Sequence, residues 1–168
     1  MVLAVDFDGT LVRENSSRVL EDILMGKWTV LGFLLPGLGK LVGYRGDFRR
    51  RVVLSLSLRM YGPEKLKEAM TKTARQLTVR EEFRREKLII VSSGLHPIIR
   101  NVVELHDLKV VGIYATKITF YNGTLKVKEV TINDKVRILK GLDVKTYVTD
   151  DPREATILRK TGIETVLL

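Results

Sequence analysis

Asp6 and Asp8 stand two residues apart directly after an apolar run, Val2-Leu3-Ala4-Val5, and are followed by Gly9, Thr10 and Leu11. Side chains alternate along a strand, so both carboxylates face one way while Phe7 turns to the other face. At the carboxyl end of a parallel strand they would stand at the mouth of the crevice where α/β sheets bind ligands. Two carboxylates this close repel unless a cation joins them. Mg²⁺, which takes oxygen ligands and keeps water and phosphate in its shell, suits such a pair. Asp and Gly are also frequent turn residues, so the same string serves equally as an ordinary turn.

Placing these acids requires a sheet. The run 2–7 and four other short apolar runs, 88–92, 110–115, 146–149 and 164–168, read as five strands, each beside a turn signal or a charged stretch. Ile98, Ile99, Val102, Val103 and Leu105 recur at helical spacing and predict a helix over 97–109. Ala155, Ile157 and Leu158, with Gly162 as a stop, predict another over 152–161. Strands alternating with helices imply a Rossmann-like α/β fold: a mostly parallel five-stranded sheet flanked by helices. Two segments depart from the alternation. Residues 117–121 and 124–130 alternate apolar and polar around Asn122-Gly123, a dipeptide suited to a tight hairpin turn. Residues 12–87 hold no clear strand and show helical patterns at 17–25, 48–60 and 63–80, as expected of a small helical cap inserted after the first strand. The catalytic core then comprises 1–11 and 88–168.

With 168 residues, 45% of them apolar, the chain can bury one sizeable core. Lysine and arginine outnumber acids 29 to 20, and the resulting charge of +9 attracts anions such as phosphate esters, nucleic acid or anionic lipid. Nucleic acid is the least favoured of these: no recognised motif is present, and at 7% aromatic content stacking platforms are not evident. The absence of cysteine excludes disulfides and thiolate metal sites, and two histidines are too few for a His-rich metal cluster. No signal-peptide pattern is visible at the N-terminus, so a cytoplasmic protein is expected. High charge with a single glutamine leans towards a thermophile.

Within the cap, residues 28–39 carry no charge and include Trp28, Leu31, Phe33, Leu34, Leu35 and Leu38. The stretch is too short to span a bilayer, which takes about 20 residues. It reads as a buried cap core or as an apolar lip facing a greasy substrate or a membrane surface. Arg49, Arg50 and Arg51 spread over about 200° of a helix at about 100° per residue. With Arg45 they read as a solvated face. Arg80/Arg84 and Glu81/Arg85 stand at helical spacing and read as exposed helix.

The full string Asp6-Phe7-Asp8-Gly9-Thr10-Leu11 resembles the first motif of the haloacid dehalogenase (HAD) superfamily. That resemblance implies that Asp6 attacks phosphorus and Asp8 is the general acid and base, with Thr10 near the phosphate. Leu88-Ile89-Ile90-Val91-Ser92-Ser93-Gly94 resembles the second motif, in which Ser92, or Ser93 one residue on, hydrogen-bonds a phosphate oxygen. The same serines also suit a helix cap before Pro97. Lys135, opening the periodic Val136-Arg137-Ile138-Leu139, resembles the third-motif lysine. Its implied task is to offset negative charge near Asp6.

Tyr147-Val148-Thr149-Asp150-Asp151 resembles the fourth motif, with Asp150 the best match for the metal-holding acid. Thr149 replaces the usual Gly, and Glu154 occupies the place of a second Asp. Asp151 is a rival ligand, while Asp150, Asp151 and Pro152 also suit a helix start. The segment 114–126 is similar to the corresponding part of phosphoserine-phosphatase-like members. Those members carry an acid after the first motif for the substrate's amine. Here Glu14 and Asn15 fall near that place, which does not assign phosphoserine. The cap is also similar to HAD domains fused to UbiA-like prenyltransferases, which points towards lipids.

These readings imply a Mg²⁺-dependent phosphomonoester hydrolase. Asp6 and Asp150 with the Asp8 backbone carbonyl hold the metal, Ser92, Ser93, Thr10 and Lys135 hold the phosphate, and Asp151 and Glu154 are further metal candidates. The expected partner is a small phosphorylated molecule, with a lipophilic one and a peripheral membrane contact left open. A HAD-like binding protein with weakened catalysis, or a phosphotransferase using the same aspartyl intermediate, is the alternative.

Overall fold

The computed structural model describes residues 2–25, 46–121 and 124–168. The apolar stretch 28–39, Arg45, the side chains of Arg49 and Arg50, and the turn residues Asn122 and Gly123 lie outside the described residues.

The described strands are β1 (Val2–Val5), β2 (Lys87–Leu95), β3 (Val110–Tyr121), β4 (Thr124–Lys128), β5 (Thr146–Thr149) and β6 (Glu164–Leu167). They form one six-stranded sheet in the order β4-β3-β2-β1-β5-β6. Every pairing is parallel except β3 with β4. The short β1 lies at the centre, pairing Val5 with Ile90 on one side and with Val148 on the other. Strands in that position are covered on both faces, so Ala4 and Val5 are both fully buried. Alternation divides them: Val5, Ile90 and Val148 belong to one apolar cluster, and Ala4, Val91 and Tyr147 to the other.

Two expectations need correction. The third parallel strand and the first hairpin strand are not separate elements. No breaker interrupts Ala115-Thr116, both residues are buried, and β3 runs through twelve residues, parallel to β2 in its first half and antiparallel to β4 in its second. The hairpin therefore widens the sheet from five strands to six. Likewise β2 does not end at Ser92. It continues to Leu95 across an irregular register between Val91 and Leu95, which places Ser92 and Ser93 inside an uneven stretch of strand.

The helices are α1 (Ser16–Met25), α2 (Gly46–Gln76), α3 (His96–Leu105), α4 (Ile132–Gly141) and α5 (Pro152–Lys160). Helix α2 is broken where Gly62 adopts φ +77° and Pro63 follows, which separates the two helical patterns the sequence predicts there. Its second part buries Leu66, Ala69, Met70 and Ala74, one stripe at helical spacing, in the same cluster as Ile98, Ile99 and Val102 of α3. Helix α3 stops at Leu105, short of the expected 109, and Asp107 takes φ +48°, the left-handed conformation that commonly ends helices. Among the described residues no helix is long and apolar enough to cross a membrane. Arg51, read as a solvated charge, pairs with Glu129 at 2.6 Å and so joins α2 to the segment after β4.

Candidate active site

Asp6 follows β1, and its backbone N–H donates to the Val148 carbonyl at 2.8 Å, which extends the parallel pairing by one step. The residue is 8% exposed. Oδ1 accepts the Phe7 N–H at 2.8 Å and faces the Lys135 ammonium at 3.2 Å. Phe7 turns into the core, as alternation requires. The chain then leaves the sheet in a tight turn whose Gly9 has φ +71°. A side chain at Gly9 would be strained by this conformation and would also overlap the Asp150 carboxylate, so the first and fourth motifs approach through a position only glycine fills well.

The first motif is held from several directions. Asp8 Oδ1 accepts the Ser16 N–H at 2.7 Å, at the first turn of α1, where helix N–H groups lack internal partners. A methyl group at Gly94 would stand 3.4 Å from Asp8 Oδ2, which sets Asp8 beside the end of the second motif. Thr10 is buried and exchanges two bonds with Asp150, donating its hydroxyl to Oδ1 at 3.1 Å and accepting the Asp150 N–H at 2.9 Å. Ser92 is buried, and its Oγ accepts the Gly94 N–H at 3.0 Å. Ser93 has an exposed side chain, and its carbonyl accepts the Thr116 hydroxyl at 2.8 Å. The register therefore points Ser92 inward and Ser93 outward.

Lys135 is 2% exposed, at the start of α4 behind the Thr131–Asp134 capping box. Besides Asp6, its ammonium meets Glu154 Oε1 and Oε2 at 2.9 and 2.7 Å and the Tyr147 hydroxyl at 3.2 Å. Burial works against its charge, yet the Asp6 and Glu154 carboxylates outweigh burial and hold it above the ordinary lysine value. Burial, then Lys135 opposing and Asp6 reinforcing, leaves Glu154 above the usual carboxylate range. Burial together with Asp6 and Glu154 pushes the Tyr147 hydroxyl well above the usual phenol value. Two influences are common to the three groups: burial, and the Asp6 carboxylate, which raises each of them.

The remaining acids are engaged elsewhere. Asp151 caps α5, accepting from the Arg153 and Glu154 N–H groups at 2.8 and 3.3 Å, which realises the helix-start reading of that sequence. Both oxygens of Glu154 are on Lys135. Glu14 Oε2 accepts the Thr78 N–H at 2.8 Å, and Asn15 Oδ1 accepts the Arg18 N–H at 3.1 Å at the start of α1. Among the described residues no three His, Asp or Glu side chains form a ready ligand group. Asp6 and Asp150 nevertheless stand at the ends of neighbouring strands and present carboxylate oxygens there. Two carboxylates and a backbone carbonyl suit Mg²⁺, which leaves several ligand positions to water and phosphate.

Arg80, Thr116 and Tyr147 escape a reading of the sequence. Arg80 does not lie on an exposed helix. Helix α2 has ended at Gln76, Val79 bridges to Val12, and the Arg80 guanidinium donates to the Gly9 carbonyl at 3.0 Å. Pairing between residues 71 apart in the chain leaves no local signal to read. Thr116 links Ser93 to the Val130 N–H, which it accepts at 3.2 Å. Tyr147 did carry a signal: a tyrosine on a strand buried on both faces needs a hydrogen-bond partner for its hydroxyl.

No protein-family model matches the chain, and no curated protein does. Solved structures do. A HAD-family hydrolase from Salmonella enterica serovar Typhi superposes with a TM-score of 0.63 at 13% identity over 96% of this chain, which spans 60% of that one. A phosphoserine phosphatase solved as a phospho-aspartyl intermediate analogue superposes with a TM-score of 0.63 at 18% identity, over 99% of this chain and 85% of that one. A probable phosphoserine phosphatase from Vibrio cholerae gives a TM-score of 0.66 at 16% identity over 99% of this chain, which spans 56% of that one. The chain therefore has the α/β fold of the HAD hydrolases and phosphoserine phosphatases.

Proposed function

We propose that the chain hydrolyses small phosphate monoesters through an aspartyl-phosphate on Asp6. The observation that carries this reading is the buried Lys135 ammonium 3.2 Å from Asp6 Oδ1, at strand ends in a fold shared with phosphatases. A carboxylate oriented by an adjacent ammonium has the placement covalent catalysis asks of a nucleophile.

An oxygen of the Asp6 carboxylate attacks phosphorus while the ester oxygen departs and takes a proton from Asp8. Asp8, now ionised, removes a proton from the water that attacks the acyl phosphate, releasing phosphate and restoring both acids. Asp8 is held for both tasks through its bond to Ser16. Ser92 accepts from Gly94 and so keeps its own proton for a phosphate oxygen, and Lys135 offsets charge on the phosphoryl group. The Asp6 and Asp150 carboxylates with the Asp8 carbonyl are the residues that would hold Mg²⁺, whose charge neutralises the phosphate oxygens. Asp151 and Glu154 are less suited to that ligand set, because Asp151 caps α5 and both Glu154 oxygens are on Lys135. We assign no individual substrate.

The test is a screen of phosphorylated metabolites and lipid phosphates with purified protein, with and without Mg²⁺. Activity should require the metal and fall by at least about three orders of magnitude in Asp6→Asn, where the nucleophile is lost. Full activity in that variant overturns the assignment.

A further inference from the structure

Tyr147 is the largest fully buried side chain of the described residues, and its position is unusual for a strand. It sits on β5, opposite Ala4 of β1, yet its hydroxyl donates at 2.7 Å to the carbonyl of Val91 on β2, the strand beyond β1. Two strand spacings are about 10 Å, a gap that a phenol bridges only by lying across β1, where Ala4 presents a single methyl group. With its proton committed to Val91, the Tyr147 oxygen offers only lone pairs to Lys135, which donates to it at 3.2 Å.

An ammonium has three protons, and four oxygens face Lys135: both of Glu154, the Tyr147 hydroxyl and Asp6 Oδ1. They do not pull equally. Glu154 presents two oxygens at 2.7 and 2.9 Å, whereas Asp6 presents one at 3.2 Å. Charge-assisted bonds strengthen as they shorten, so without a third partner the ammonium would settle on Glu154 and withdraw from Asp6.

We propose that Tyr147 is a positioning residue whose hydroxyl, anchored on Val91, gives the Lys135 ammonium a fixed contact besides Glu154 and holds it beside the nucleophile. The chain Lys135 to Tyr147 to Val91 also ends one residue before Ser92, so one phenol ties together the lysine, the strand of Asp150 and the strand of the phosphate-binding serine. This inference rests on the phosphatase reading above and concerns the same site.

Tyr147→Phe keeps the ring and its burial and removes only the oxygen. It should lower kcat by about ten-fold, with KM changed less than about two-fold, because the ammonium acts on the transferring group rather than on substrate capture. Adding Glu154→Gln weakens the competing pull and should restore part of the lost kcat, a recovery that a purely space-filling tyrosine would not produce. A readout free of turnover comes from NMR of the wild type in water. The Tyr147 hydroxyl proton and the Lys135 ammonium should each be protected from exchange and show a mutual NOE, and in folded Tyr147→Phe the ammonium signal should shift and exchange faster.

No NOE in the wild type overturns the hydrogen-bond chain, even if the variant fails to fold. An active wild type whose Tyr147→Phe keeps kcat within two-fold overturns the positioning role alone. A wild type inactive on every phosphate ester while the NOE is present overturns the phosphatase reading, and the tyrosine's catalytic purpose with it.

Discussion

Asp6 and Asp150 end adjacent strands of one sheet, but their surroundings are opposite in kind. Asp6 is nearly enclosed, with Lys135, Tyr147 and Glu154 packed behind it. Asp150 is exposed, and its bonding to Thr10 comes from a neutral hydroxyl. A buried ammonium left unmatched destabilises the fold, so the partners of Lys135 around the proposed nucleophile are fixed by folding. An exposed carboxylate held by a threonine stays open to solvent, as the proposed metal site requires. The enclosed end is built to orient, and the open end to receive.

The largest effect that would sharpen this contrast is expected at the enclosed end. Lys135→Met should reduce kcat/KM by about two to three orders of magnitude. It should also destabilise the fold by about 3–5 kcal/mol, because two buried carboxylates lose their partner. Steady-state kinetics and urea unfolding measure the two losses together, and a variant near wild type in both would break the contrast. Asp150→Asn should behave differently. The Mg²⁺ concentration for half-maximal activity should rise about ten-fold or more, with stability within about 0.5 kcal/mol of wild type, as for an exposed side chain. An unchanged metal requirement would remove Asp150 from the ligand set.

The smallest effect lies at the seam between the first motif and the return from α2. Burial would raise the Glu14 carboxyl, but its bonds to Thr78 outweigh burial and hold it below its ordinary value of 4.5. A folded value below the unfolded one contributes stability that is complete above about pH 4.5 and is lost as pH falls through the folded value. Glu14→Gln should therefore cost about 1 kcal/mol at neutral pH. The difference from wild type should close in acid, which unfolding midpoints measured at both pH values would show.

Legibility followed the same division. The string from Asp6 to Leu11, the strand before it and the order of the later motifs could be read because each is local: alternation, a glycine turn and helix starts are properties of consecutive residues. The boundary at Ser92 was misread because an irregular register depends on the neighbouring strand. Arg80 was misplaced because its partner, Gly9, is remote in sequence. The fate of the charged residues was least legible. Asp151 was legible as a helix start, whereas Glu154 and Arg51 read as ligand and surface groups, and the fold made them the lysine's partner and a cross-link to Glu129.

By itself, then, the amino-acid sequence determined that two acids end the first strand, that a mostly parallel sheet carries them, and that oxygen donors and a lysine are at hand. Only the tertiary structure decided which oxygen meets which charge. Backbone pattern is set by short-range sterics and hydrophobic period, whereas an ion's partners depend on register across strands that are remote in the chain. The phenol of Tyr147, reaching over Ala4 to Val91, exists as a feature only once β5, β1 and β2 lie side by side.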